Sequence, residues 1–228
     1  MKYKLLFSFL LFSQVLLAQS VAPDTFALQL KEARQPQLID VRTPGEFADG
    51  HLPDAVNIDA QSASFDQSLA KLDKDKPVFV YCLSGGRSKM AAEKLHKMGF
   101  NDVHEMKGGY LKWSARMMPV AGVKKSTAKP EWNAARFDSL IRSQKLVMVD
   151  VYASWCAPCK KMAPIIDQVS QQIAGKATIV KLNADTEKPL MKAYQIEELP
   201  TILIFRNGKL TDRKLGFQDE AALKALLN

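Results

Sequence analysis

The sequence predicts an α/β fold in two domains, on three observations. Short runs rich in β-branched and aromatic residues alternate with stretches of helical spacing, the pattern of sheets with helices packed against them. A segment between Pro119 and Trp132, with Gly, Ser, Thr, prolines and lysines and no apolar period, divides the chain into halves of about 100 residues, each large enough for its own core. Each half also contains an apolar run that delivers a cysteine to the start of a helical stretch. The composition, 47% hydrophobic and 25% charged over 228 residues, excludes disorder, collagen and coiled coil. The net charge of +8 is dispersed, without the block of like charges that marks a nucleic-acid arm, so no nucleic-acid partner is expected. Three cysteines are too few to staple a scaffold and are read as chemistry.

Residues 1–18 have the three-part layout of a signal peptide: Lys2 and Lys4, an apolar run from Leu5 to Leu17 interrupted by Ser8, Ser13 and Gln14, and Ala18 before a polar stretch. The run falls short of the roughly 20 apolar residues of a spanning helix, which leaves an uncleaved anchor as the weaker alternative. The expected organisation is a signal peptide over 1–18, a first domain over 19–120, a linker over 121–130 and a second domain over 131–228. The chain is then exported, periplasmic in a Gram-negative bacterium and secreted otherwise, with no stable membrane insertion after cleavage. Its cysteines would meet an oxidising compartment.

In the first half, Leu38 to Val41 is a strand, and Thr43-Pro44-Gly45-Glu46-Phe47 suits a short helix with Pro early and an acid in its first turn. Ala55 to Ile58 and Val78 to Tyr81 are further strands, and Ser88 to Met98 is a helix stopped by Gly99. Such alternation predicts a parallel sheet. The strand at Tyr81 runs into Cys82-Leu83-Ser84-Gly85-Gly86-Arg87-Ser88, placing the thiol at the carboxyl end of a strand, where open α/β sheets bind ligands. The two glycines let the loop curl so that its amides form an anion-binding nest above the helix that follows. That nest and Arg87 favour a thiolate at Cys82. The alternative is a buried core cysteine before an ordinary glycine turn. Asp40, Arg42, Glu46 and His51 cluster in sequence, and a loop-fixing role is preferred to a catalytic one, with a strand-end Asp or Arg paired to the Glu of the next helix.

These residues resemble a single-domain rhodanese over about 24–120: Asp40-Val41-Arg42 with Glu46-Phe47, Gly50 to Asn57, Cys82 to Ser88, Gly108-Gly109-Tyr110-Leu111-Lys112-Trp113 and Pro119-Val120. The resemblance implies that Cys82 carries a persulfide. It also implies that the loop amides and Ser84, Gly85, Gly86, Arg87 and Ser88 hold the sulfur and an anionic donor such as thiosulfate. The loop from Cys82 to Arg87 has the six members that this resemblance links to sulfur transfer; related oxyanion loops are one longer.

In the second half, Leu146 to Tyr152 is a nearly all-apolar run, as in a central strand buried on both faces, and Asp150 is its exception. It leads into Trp155-Cys156-Ala157-Pro158-Cys159 and an apolar stripe through Met162, Ile165, Ile166 and Val169. A Cys-x-x-Cys pair suits zinc or redox work. Zinc would need two more ligands nearby, and the other Cys and His residues lie in the first half, so no metal and no cofactor is expected. Cys156, placed at the open end of the helix, is the expected attacker, with Cys159 one turn deeper as resolver.

This half resembles thioredoxin over 131–228. The shared residues are Trp155 to Lys160, Asp150 six positions before Cys156, Lys181, Leu199-Pro200-Thr201, Phe205-Arg206-Asn207-Gly208 and Gly216. The resemblance implies a redox-active disulfide and a cis bond before Pro200, which with Trp155 shapes a substrate groove. It further implies a buried Asp150–Lys181 pair moving protons for Cys159. Ala157 stands where glycine is usual, and Ala-Pro leans toward a reductant.

The predicted fold is therefore a rhodanese-like parallel-sheet domain followed by a thioredoxin-fold domain. The predicted function is a thiol-disulfide oxidoreductase joined to a sulfurtransferase. In the alternative the first domain only binds sulfur species or oxyanions, and a non-enzymatic interaction protein stands third. The implied partners are protein disulfides or persulfides, a thiosulfate-like sulfur donor and an external electron donor. The linker would also let Cys156 meet a persulfide on Cys82.

Overall fold

The computed structural model describes residues 19–123, 126 and 128–227, so the expected signal peptide over 1–18 lies outside the described residues. The first domain comprises β1 (Gln19–Val21), α1 (Pro23–Glu32), β2 (Gln37–Asp40), α2 (Pro44–Ala48), β3 (Val56–Asn57), α3 (Phe65–Leu69), β4 (Val78–Tyr81), α4 (Gly86–Lys97), β5 (Val103–Met106) and α5 (Gly109–Ala115). Its strands form one parallel sheet in the order β1-β5-β4-β2-β3. All four residues of β4 are buried, which is why that stretch of sequence is continuously apolar. Alternate side chains divide between two cores: Ile39, Val78 and Val80 face α4 residues Ala91 and Leu95, whereas Leu38, Phe79 and Tyr81 join Phe26 and Trp113.

The second domain comprises α6 (Ala134–Ser143), β6 (Leu146–Tyr152), α7 (Ala157–Gln172), β7 (Thr178–Asn183), α8 (Lys188–Ala193), β8 (Thr201–Arg206), β9 (Lys209–Leu215) and α9 (Glu220–Ala225). The sheet order is β7-β6-β8-β9, with β7 parallel to β6 and the β8-β9 hairpin antiparallel to it. The hairpin turns at Asn207-Gly208, both with positive φ (52° and 78°), as a tight primed turn requires. Val147, Val149 and Val151 pack into one core and Met148 into the other, so β6 is covered on both sides. No helix among the described residues is long and apolar enough to cross a membrane.

The segment expected to be a linker begins docked. The His51 amide donates to the Ala121 carbonyl at 3.0 Å and the Ala121 amide to the His51 carbonyl at 2.8 Å. Val120 and Val123 lie against the core of the second domain. Apolar side chains and unpaired backbone groups in this stretch find partners on both domains, which leaves little free tether before residue 124.

Candidate functional site

The first candidate site is built on β4. Its last residue, Tyr81, is followed by Cys82, whose residue surface is 1% exposed. Gly85, with φ of +108°, turns the loop so that its amide donates to Cys82 Sγ at 3.1 Å, and the Ser88 hydroxyl oxygen lies 3.4 Å from the same sulfur. The sulfur thus lies between the loop, which turns one amide toward it, and the first turn of α4. Ser84 and Gly86 are exposed on the rim.

Arg87 is not free in this loop. Its guanidinium forms a two-pronged pair with Glu46, at 2.8 and 2.7 Å. Those bonds, together with Thr43 donors, hold the Glu46 carboxyl down at about 2. Glu46 also closes a capping box with Thr43 at the start of α2, so a capped helix end presents the acid to the loop. The expected pairing of a strand-end Asp or Arg with Glu46 is therefore corrected. Asp40 and Arg42 pair with each other at 2.5 Å, fully inside the fold, and Arg42 donates on to the Gly50 carbonyl at 2.7 Å and lies over the Tyr110 ring. A buried guanidinium needs a carboxylate at hand, and Asp40 two residues back supplies it. His51 stacks on Phe47 and bonds its carbonyl, in keeping with a loop-fixing role.

One functional group was missed from sequence. Glu105 on β5 is 3% exposed and lies directly under the loop, accepting from Ser88 Oγ at 2.6 Å and from Ser20 Oγ at 2.5 Å. Ser88 thus bridges the Cys82 sulfur to a buried carboxyl. No signal like that of Asp150 marked it, because β5 reads Val103-His104-Glu105-Met106 and a second polar residue beside the acid hides it among the pattern of a half-exposed strand.

The second candidate site is built on β6 and α7. Cys156 and Cys159 are bonded, with S–S of 2.01 Å, and Cys156 caps α7 by accepting from the Cys159 amide at 3.2 Å. Pro158 occupies the first turn, where its missing N–H costs nothing. The peptide bond between Leu199 and Pro200 is cis, and Leu199 shares a core cluster with both cysteines. Trp155 is buried, its Nε1 donating to both Asp185 carboxylate oxygens at 3.1 Å.

Asp150 is 4% exposed, and its Oδ1 has no hydrogen-bond partner. Burial pushes its carboxyl up to about 6, with the Lys181 charge pulling part of the way back and Asp167 pushing further up. The expected buried Asp150–Lys181 pair is corrected. The two are register neighbours on β6 and β7, but the Lys181 side chain is 42% exposed and donates to Asp167 on α7 at 2.6 Å. A long side chain on an edge strand keeps its ammonium in water more cheaply than beside a buried acid.

The expectation that Cys156 sits at an open end is corrected as well. Cys156 has no exposed surface: it shares the core of its own domain, and α5 of the first domain is bonded to the neighbouring Ala157 and to Leu199. With Cys82 nearly as buried, neither sulfur reaches the other while the domains hold this arrangement.

Comparison with known proteins divides the chain in the same way. A family model described as rhodanese-like domain matches residues 23–116, and one described as thioredoxin matches residues 128–228. The thioredoxin of Rickettsia felis is 38% identical over 89 residues, covering 39% of this chain and 85% of that protein. The thioredoxin of Mycoplasmoides gallisepticum is 39% identical over 95 residues, covering 42% and 94%. A bifunctional thioredoxin reductase/thioredoxin of Mycobacterium leprae is 27% identical over 181 residues, covering 78% of this chain but 37% of its own length. A solved thioredoxin from Plasmodium falciparum shares 34% identity over 44% of this chain and 96% of its own, with a TM-score of 0.40.

Proposed function

Because the chain belongs to the thioredoxin family and carries a rhodanese-like domain ahead of its thioredoxin domain, we propose that it couples thiol-disulfide exchange at Cys156 and Cys159 to persulfide formation at Cys82. The observation that carries the redox half is the bonded cysteine pair at the N-terminus of α7 in a domain whose central strand buries an unpartnered carboxyl. In the reduced chain the Cys156 thiolate attacks a partner disulfide, forming a mixed disulfide and releasing one partner thiolate. The Cys159 thiolate then attacks the Cys156 sulfur, re-forming the internal bond and releasing the second partner thiolate, and the two protons given up by the cysteines end on the partner. An external reductant restores the dithiol. Asp150, poised at about 6, can hold or give a proton at neutral pH.

In the first domain the Cys82 thiolate attacks the outer sulfur of thiosulfate. One S–S bond forms, the thiosulfate S–S bond breaks, and sulfite leaves with the electron pair. The Gly85 amide aimed at the sulfur supports this reading, as a donor there stabilises the anionic forms of both thiol and persulfide. The signal-like pattern of residues 1–18 supports action outside the cytoplasm.

A second reading, binding of sulfur species or oxyanions without turnover, is favoured by the commitment of Arg87 to Glu46. Thiosulfate-to-cyanide sulfur transfer by the wild-type chain, abolished in Cys82→Ser, separates the two; transfer absent from both proteins leaves the binding reading. For the redox half, Cys159→Ser is expected to trap a mixed disulfide with substrate through Cys156. Trapping through Cys82 would overturn the assignment.

A further inference from the structure

Cys156 has no exposed surface, yet exchange requires a third sulfur to approach it. Part of its surroundings is its own core, with Trp155, Cys159 and Leu199, and the rest of the cover comes from the first domain. At the C-terminal end of α5 the Ala115 carbonyl accepts from the Leu199 amide at 2.7 Å. One residue earlier the Ser114 hydroxyl accepts from the Ala157 amide at 3.2 Å, and the Tyr110 hydroxyl donates to the Trp155 carbonyl at 3.2 Å. The Ala115 carbonyl and the Ala157 amide are terminal helix groups with no partner inside their own helices, so each domain satisfies backbone groups that the other leaves open.

Apolar contacts surround these bonds. Met117, Val120 and Val123 lie against the cluster that contains Cys156, while Ala157 lies against the cluster of the first domain. Lys160 pairs with Asp49 across the seam at 3.1 Å. The contacts therefore converge on Trp155, Ala157, Lys160 and Leu199, the residues around the disulfide.

We infer that this face of the thioredoxin domain is a docking surface for α5 of its own rhodanese-like domain, and that docking closes the disulfide to exchange until the domains part. This rests on the redox reading of Cys156 and Cys159. Several features suit a seam that opens. Its edge is a cleft of about 370 Å³ lined by Asp24 and Arg116 from one domain and Glu197, Glu198 and Arg213 from the other. Charged, solvated rims of this kind characterise interfaces that separate within one chain. The Tyr110 and Leu111 amides of α5 also donate to the Cys82 and Leu83 carbonyls at 2.8 and 3.0 Å. One helix about 10 Å long therefore touches the loop of one sulfur site and covers the other.

The test is alkylation of the fully reduced full-length chain by iodoacetamide, with Cys156 followed by peptide mass spectrometry. Met117→Glu places a charge in the apolar seam and is expected to speed Cys156 alkylation at least tenfold over wild type. Asp49→Lys sets two cations face to face and should speed it by a smaller factor, which Asp49→Lys with Lys160→Asp reverses. Wild-type Cys156 reacting as fast as in either single variant would overturn the inference. Hydrogen exchange tests the docking without any substitution: the Leu199 and Ala157 amides should be protected in the folded oxidised chain, and unprotected amides would overturn it. Insulin reduction by Met117→Glu reports separately on the redox reading. No reduction together with slow wild-type alkylation would refute that reading while upholding the docking.

Discussion

Replacing Asp150 with alanine should stabilise the oxidised protein at alkaline pH and do much less at acid pH. The carboxyl rises from an ordinary 3.8 to about 6, first through burial and then through Asp167, against the pull of Lys181. Its folded-state pKa is above the unfolded one, so the fold prefers the protonated acid. Wild-type stability therefore falls as pH climbs from about 4 through about 6 and is level above that. At about 1.4 kcal/mol for each tenfold, the ionised carboxylate costs the fold roughly 3 kcal/mol at pH 8. Most of that is absent at pH 4.5, where the folded acid holds its proton. Alanine also removes some packing, but that loss is the same at both pH values and cancels in the comparison. Urea unfolding followed by tryptophan fluorescence at pH 4.5 and pH 8 should show the variant gaining roughly 2 kcal/mol more over wild type at the higher pH. An equal difference at the two pH values would refute the claim that Asp150 is buried without adequate compensation.

Further substitutions test the first site. Arg87→Ala should cut thiosulfate turnover at least tenfold yet cost the fold no more than about 1 kcal/mol, because its pair with Glu46 is about a quarter exposed; Glu46→Gln, which frees the guanidinium for the loop, should instead lower the KM for thiosulfate, read by sulfite release. Gly109→Ala should destabilise by more than about 2 kcal/mol, because a Cβ there falls 2.3 Å from the Cys82 carbonyl oxygen at φ of +55°. At Gly108→Ala the nearest atoms are those of the flexible Lys112 side chain, so it should cost less, as thermal unfolding would show.

What the sequence by itself determined was local. The strands at β4 and β6 are continuous apolar runs because both faces of each are covered. Cys82 and Cys156 stand where a strand gives way to a helix, and Gly85, Pro158 and the Asn207-Gly208 turn state their backbone demands in their own residue types. The acid inside β6 declared itself the same way, whereas Glu105 did not, because His104 beside it makes β5 read as a half-polar strand. What only the tertiary structure decided was which group faces which. Arg87 could have met an anion, but α2 brings Glu46 to it across 41 residues. Lys181 could have met Asp150 from the next strand, but an edge position lets it turn to Asp167. The cover over Cys156 carries no mark in sequence, because Ser114 and Ala115 are ordinary helix residues in a different domain and the motif that contains Tyr110 points to the Cys82 site. Their carbonyl and hydroxyl groups acquire meaning only when folding sets the end of α5 against the start of α7, where the Ser114 hydroxyl takes the open Ala157 amide and the Leu199 amide fills the open Ala115 carbonyl.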